Sequence, residues 1–172
     1  MSAAPVVAQG TAKEARARRI SGQPEVLERT LALLRWAGLA FFVLGATDVA
    51  LTWLPTNFGN REWEFATVTA SFNGMPVIIL GLVLMVATAA WEGKKWWALG
   101  GGLVAAAFFL FVLGAIVLWA GNVPLALGAV EGVALTGLKK AIFKTAVQSM
   151  VLPIIFGALA YQGLRGFRSS SA

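Results

Sequence analysis

Four long apolar runs, at residues 31–54, 65–91, 97–119 and 141–164, constrain this chain more than anything else in its sequence. Each exceeds the roughly 20 residues that an α-helix needs to cross a hydrocarbon core of ~30 Å at ~1.5 Å per residue. The runs are continuous and rich in Leu and Ala, without the alternation over about ten residues that a membrane barrel strand requires. With no water in the bilayer core to satisfy backbone groups, such segments must be helices. The pattern predicts an all-α fold, an integral membrane four-helix bundle made of two helical hairpins. Composition agrees: 58% of residues are hydrophobic and 13% charged, about half the charged share of a soluble domain.

Outside the runs the chain divides into three parts. Residues 1–23 carry Lys13, Arg16, Arg18 and Arg19 with no apolar period and read as a mobile basic arm. They are not a cleavable signal, because the first apolar run starts too late and continues too long. Gln23-Pro24-Glu25 reads as a helix start, with Pro24 at the first helical position and Glu25 and Glu28 at the positive end of the dipole. Residues 24–168 form the four-span domain, and 169–172 a short tail. An excess of Lys and Arg marks the cytoplasmic side. With both termini inside, that side gathers Lys13, Arg16, Arg18, Arg19, Arg29, Arg35, Lys94, Lys95, Arg165 and Arg168, against Arg61, Lys139, Lys140 and Lys144 outside. Trp36, Trp91, Trp96, Trp97 and Tyr161 then fall at the inner surface and Trp53, Trp63 and Trp119 at the outer one, the headgroup levels that such rings prefer. The expected location is a bacterial inner membrane with both ends cytoplasmic and the basic side on an anionic inner leaflet.

The chain has no cysteine and no histidine, which removes disulfides, thiol nucleophiles, zinc-thiolate sites and imidazole ligation or proton shuttling. A lone aspartate excludes an aspartyl protease pair, and glycine-rich phosphate motifs are missing from any strand–helix setting. No catalytic residue, cofactor, metal or nucleic-acid partner is expected. The polar residues within the spans are the remaining candidates. Asp48 lies about five residues, ~7.5 Å, inside Trp53; at comparable depth stand Asn73 with Ser71 on the second span and Lys144 and Gln148 on the fourth. These can cluster as a binding site or ion path. They can equally be independent, with Asp48 wetted near the surface, Lys144 snorkelling outward and the amides joining helices. Pro76 and Pro153 interrupt the two spans that run inward, as kinks or as the broken helices of a gate. Gly101 with Ala105 and Gly102 with Ala106 give the third span a small-residue face for close helix packing, and Gly38, Gly45 and Gly114 have the same capacity. Phe-Val-Leu-Gly-Ala occurs at 42–46 and again at 111–115, and Ile-Ile-Leu-Gly at 78–81 is echoed at 154–157. Tandem duplication and chance in a Leu-, Val-, Gly- and Ala-rich chain both account for that.

The loop at 54–65, L-P-T-N-F-G-N-R-E-W-E-F, combines turn formers with Asn60, Glu62, Trp63 and Glu64. Glu62 and Glu64 suit the N-terminus of the next helix, with Trp63 as its anchor. As a catalytic or cation-binding pair they lack a nucleophile or third ligand nearby. This loop and the x-P-x-x-x-L-G-L entry at 75–82 resemble a group of small bacterial multispanning membrane proteins that includes one linked to cyanobacterial hormogonium polysaccharide production. The likeness covers about residues 40–90, with Arg61 where that group commonly has proline. It implies a membrane-embedded accessory role and carries over no catalytic residue. Segment 121–138 has one charge, Glu131, and reads as an interfacial or partly re-entrant helix, or as an outer extension of the fourth span. The functional expectation is a non-catalytic subunit or scaffold packed against other subunits of an envelope, respiratory or photosynthetic assembly. The alternative is a small transporter or channel with a polar track around Asp48.

Overall fold

Runs of Leu, Ala, Val and Phe with few interior breakers leave the backbone one way to satisfy itself in lipid, and the computed structural model shows it taken four times. The structure describes the backbone of residues 6–169 and the side chains of residues 25–167. The helices are α1 (Val6–Thr52), α2 (Arg61–Trp91), α3 (Lys95–Gly128) and α4 (Gly132–Ser169), and each holds a stretch long and apolar enough to cross a membrane. There is no strand among the described residues. The turn at 92–94 and the C-terminal end of α4 lie at one end of the bundle, and the 53–60 loop and the break at 129–131 at the other, called here the loop end.

Helix boundaries differ from the sequence reading in two places. α1 does not start at Pro24, because its helical backbone reaches back to Val6. The intervening stretch contains Lys, Glu, Arg and Ala, all strong helix formers. The side chains of the basic arm, its first five residues and the last three of the tail lie outside the described residues. Segment 121–138 is shared: α3 continues through Pro124 to Gly128, and α4 begins at Gly132, whose φ of 65° suits a residue without Cβ. The segment is therefore two helix ends and a turn, neither re-entrant nor wholly part of α4.

α1 packs on α2, α3 on α4, and α2 also packs on both α3 and α4. Among the described residues no Cα of α1 comes within 8 Å of one in α3 or α4. The four helices thus stand at the corners of a rhombus, with α2 and α3 across its short diagonal. Three aromatic pairs bridge the α1–α3 cleft at successive levels: Trp36–Trp97, Phe42–Phe108 and Trp53–Phe111, with centroids 5.6–6.0 Å apart. The core runs along α2 through Val68, Phe72, Met75, Ile78 and Leu82, and takes Ala105 and Val112 from α3 and Phe156 from α4.

Each hairpin is closed by a pair of glycines. A Cβ on Gly81 would lie 2.5 Å from the Phe42 nitrogen and 2.6 Å from the Gly38 oxygen, and one on Gly163 2.5 Å from Gly102 Cα. Such backbone approach is what small residues permit in membrane helices. Gly101 faces Val86 of α2 and Ala105 is fully buried, so the small-residue face of α3 serves internal packing, with Ala106 beside it. The duplicated motif does not carry duplicated packing. Gly45 presses on Ile78, whereas its counterpart Gly114 meets nothing within 4 Å.

Candidate functional site

At the loop end, Asn60 caps α2 by accepting the Trp63 N–H at 3.1 Å. Helical phase then turns Glu64 inward, where it is 9% exposed, while Glu62 stays in solvent. The Glu64 carboxylate accepts from the Gly59 N–H and from Asn122 Nδ2 of α3, both at 2.9 Å, and Asn122 also donates to the Leu118 carbonyl at 3.0 Å. Glu64 thus locks the loop and the top of α3 onto α2, and the two glutamates do not form a pair. Around this lock Trp53, Phe58 and Trp63 form an aromatic cluster, and the Trp53 indole donates to Ser71 Oγ at 2.9 Å. The sequence does not single out Asn122, because segment 121–138 reads there as an interfacial or re-entrant helix or as part of the fourth span; the signal for it is its position one turn from Leu118 on a helix that simply continues.

Lower in the bundle, Pro76 removes the N–H that would have bonded the Phe72 carbonyl. Gln148 Nε2 of α4 donates to that carbonyl at 3.2 Å. The proline's backbone defect is therefore satisfied by the one side-chain amide of α4 at that level, and α2 continues as a helix to Trp91. Pro153 likewise lies inside a continuous α4. Neither proline separates two half-helices.

Asp48, Asn73, Lys144 and Gln148 are not brought together. Asp48 is exposed on α1, with Oδ2 3.1 Å from where a Gly74 Cβ would sit. Asn73 and Lys144 are exposed, on α2 and α4, whereas Gln148 reaches into the bundle, as the buried Ser71 beside Asn73 does. Since α1 and α4 occupy opposite corners, Asp48 and Lys144 cannot share one track within the chain. Depth along a helix was readable from sequence, but which helices are neighbours was not.

At the opposite end the structure holds a site that sequence reading missed. Arg35, counted there among the surface cations, is 6% exposed and pairs with Glu92 at the C-terminus of α2; Lys94 Nζ lies 3.0 Å from the same carboxylate. The guanidinium carbon stands 5.4 Å from the centroid of the Trp97 ring, in cation–π range. One ion pair and one ring thereby join α1, α2 and α3. A groove of about 640 Å³ beside it is lined by Leu27, Glu28, Arg29, Trp91 and Lys94. Its cations are balanced by carboxylates, Arg29 being bonded to Glu25 at 2.6 Å, so it is not a concentrated anion site. Comparison with protein-family models, with curated proteins and with solved structures finds no match for this chain.

Proposed function

We propose that this protein is a non-catalytic integral subunit or scaffold of a larger bacterial inner-membrane assembly. The observation that carries the reading is Asp48. Its carboxylate is exposed on α1, five residues before Trp53 in the chain, and pairs with no cation among the described residues. A carboxylate facing hydrocarbon is costly and is ordinarily covered by a hydrogen-bonding or cationic partner. Asn73, also exposed, adds a second polar group on α2. A neighbouring subunit with donors at this depth satisfies both. The polar interactions inside the bundle, at Glu64, Gln148 and Arg35, join helices to one another, as befits a scaffold. The distribution of lysine and arginine supports both ends being cytoplasmic, against an anionic leaflet. A transport path starting at Asp48 draws no support from a bundle in which α1 and α4 stand apart.

The test is purification from native membranes in mild detergent, followed by native electrophoresis and mass spectrometry. Wild-type protein is expected to migrate with other membrane subunits, and Asp48→Leu to migrate alone while keeping its helical content. Wild-type protein that travels alone overturns the reading.

A further inference from the structure

Thr145 is 1% exposed, yet its hydroxyl has no hydrogen-bond partner; the same holds for Thr69 Oγ1, Gln148 Oε1 and the Trp119 indole nitrogen. Buried polar atoms are overwhelmingly paired, so the five orphans among the described residues demand a cause. The fifth, Arg35 Nε, belongs to the ion pair with Glu92 at the opposite end; the other four are not scattered. The Gln148–Phe72 bond fixes the register of the parallel helices α2 and α4 and sets Thr69 at the level of Thr145, with Gln148 one turn deeper. The Phe108–Phe156 stack and the Gly102–Gly163 approach fix the antiparallel register of α3 and α4 and set Trp119 at the level of Thr145. Three helices therefore deliver four unpartnered groups to adjoining levels in the half of the bundle nearer the loop end.

Five other helical hydroxyls find a partner within their own helix. Thr30, Thr52, Ser71, Thr88 and Ser149 each donate to a carbonyl three or four residues earlier in their own helix, the usual refuge of such groups. Thr69 and Thr145 forgo it. The chemistry of the set also selects its ligand. Indole N–H only donates, the Gln148 oxygen only accepts, and the hydroxyls do both. A cation would meet the N–H and an anion the amide oxygen, whereas a neutral molecule that donates and accepts suits all four.

We propose that α2, α3 and α4 enclose a hydrogen-bonding site for small uncharged donor–acceptor molecules, occupied by a short chain of water. Its approach is from the loop end. One turn above lie the Glu64–Asn122 bond and Phe65, whose ring stacks on Trp119 at 6.4 Å. Phe65 and Asn122 also line a groove of about 540 Å³ with Arg61, Glu62 and Leu138. In the other direction the fully buried Met75, Ile78, Leu82 and Phe156 close the passage. The site is a blind pocket, wetted from one side.

Water-edited NMR of the full chain in lipid nanodiscs, read at the tryptophan indole N–H groups with Trp119 assigned through Trp119→Phe, tests this directly. Magnetisation is expected to pass from water to the Trp119 N–H about as fast as to Trp63 at the loop end. Thr145→Val, near-isosteric and lacking the hydroxyl, should slow that transfer at least about threefold by removing one of the bonds that hold the water, with the Trp53 and Trp97 signals unmoved to show an intact fold. No transfer to Trp119 in the wild-type protein overturns the proposal, whether or not the variant folds. Undiminished transfer in folded Thr145→Val overturns it too, because the water would then sit elsewhere.

Discussion

Gln148 and Pro76 lie on different helices and share one carbonyl, which makes their contributions to stability interdependent. Replacing Gln148 with Leu leaves the buried Phe72 oxygen without a donor, at about 1–3 kcal/mol. In a Pro76→Ala background the restored N–H takes over that bond, so Gln148→Leu should then cost much less. A double-mutant cycle in detergent-denaturation free energies measures the coupling, and additive losses would refute the shared carbonyl. Arg35 and Glu92 form the second linked pair. Arg35→Met strands the Glu92 carboxylate, whose side chain is 10% exposed, and removal of one partner of such a pair costs roughly 3–5 kcal/mol. Lys94, beside the same carboxylate, should soften the loss, and Arg35→Met with Glu92→Leu should recover most of it. Unfolding midpoints of the two single variants and the double variant check the order. Neither pair was legible in the sequence, for one physical reason. Each residue has an ordinary local explanation, Pro76 as a kink, Gln148 as helix glue and Arg35 as an inner-surface cation, and only helix adjacency reveals what each is bonded to.

At the scale of elements, the four helices were legible because span length is set by bilayer thickness, a constraint that acts on sequence directly. Their ends were less so. Pro24 reads as a helix start, yet α1 passes through it, and α3 runs beyond the third apolar run through Pro124 to Gly128, where local adjustment can relieve a proline in a membrane helix. The glycines were legible as packing residues but not as pairs. Gly38 and Gly102 read as packing residues in the sequence, whereas nothing local marks Gly163, whose role comes from the approach of α4 to α3. Their roles separate cleanly by substitution. Gly81→Ala puts a methyl group 2.5 Å from the Phe42 backbone nitrogen, and because backbone cannot yield as a side-chain tip can, α1 must move off α2 at about 1–3 kcal/mol. Gly114→Ala enters open space and should leave stability unchanged or raise it by up to about 1 kcal/mol through helix propensity. Thermal unfolding in a common detergent distinguishes the two, and equal effects would mean that the α1–α2 approach is looser than described.

The rhombus decides what the whole molecule can do with its intramembrane charges. Asp48 and Lys144 are close in depth by sequence, so a square or compressed bundle would let them meet and form the start of a polar track. In the observed arrangement α2 and α3 lie between their helices, and each charge faces outward toward whatever covers that flank. Because the chain has no cysteine of its own, engineered pairs report on this without background. Ala98 Cβ lies 3.6 Å from the Cβ position of Gly166, within the span a disulfide bridges, so Ala98→Cys with Gly166→Cys should oxidise within one chain. Asp48→Cys with Lys144→Cys should not, under the same oxidant in the same membranes, and any product should migrate as a covalent oligomer. An intramolecular bridge between 48 and 144, seen as a shifted monomer band at high dilution, would bring α1 against α4 and restore the transport reading at the expense of the scaffold.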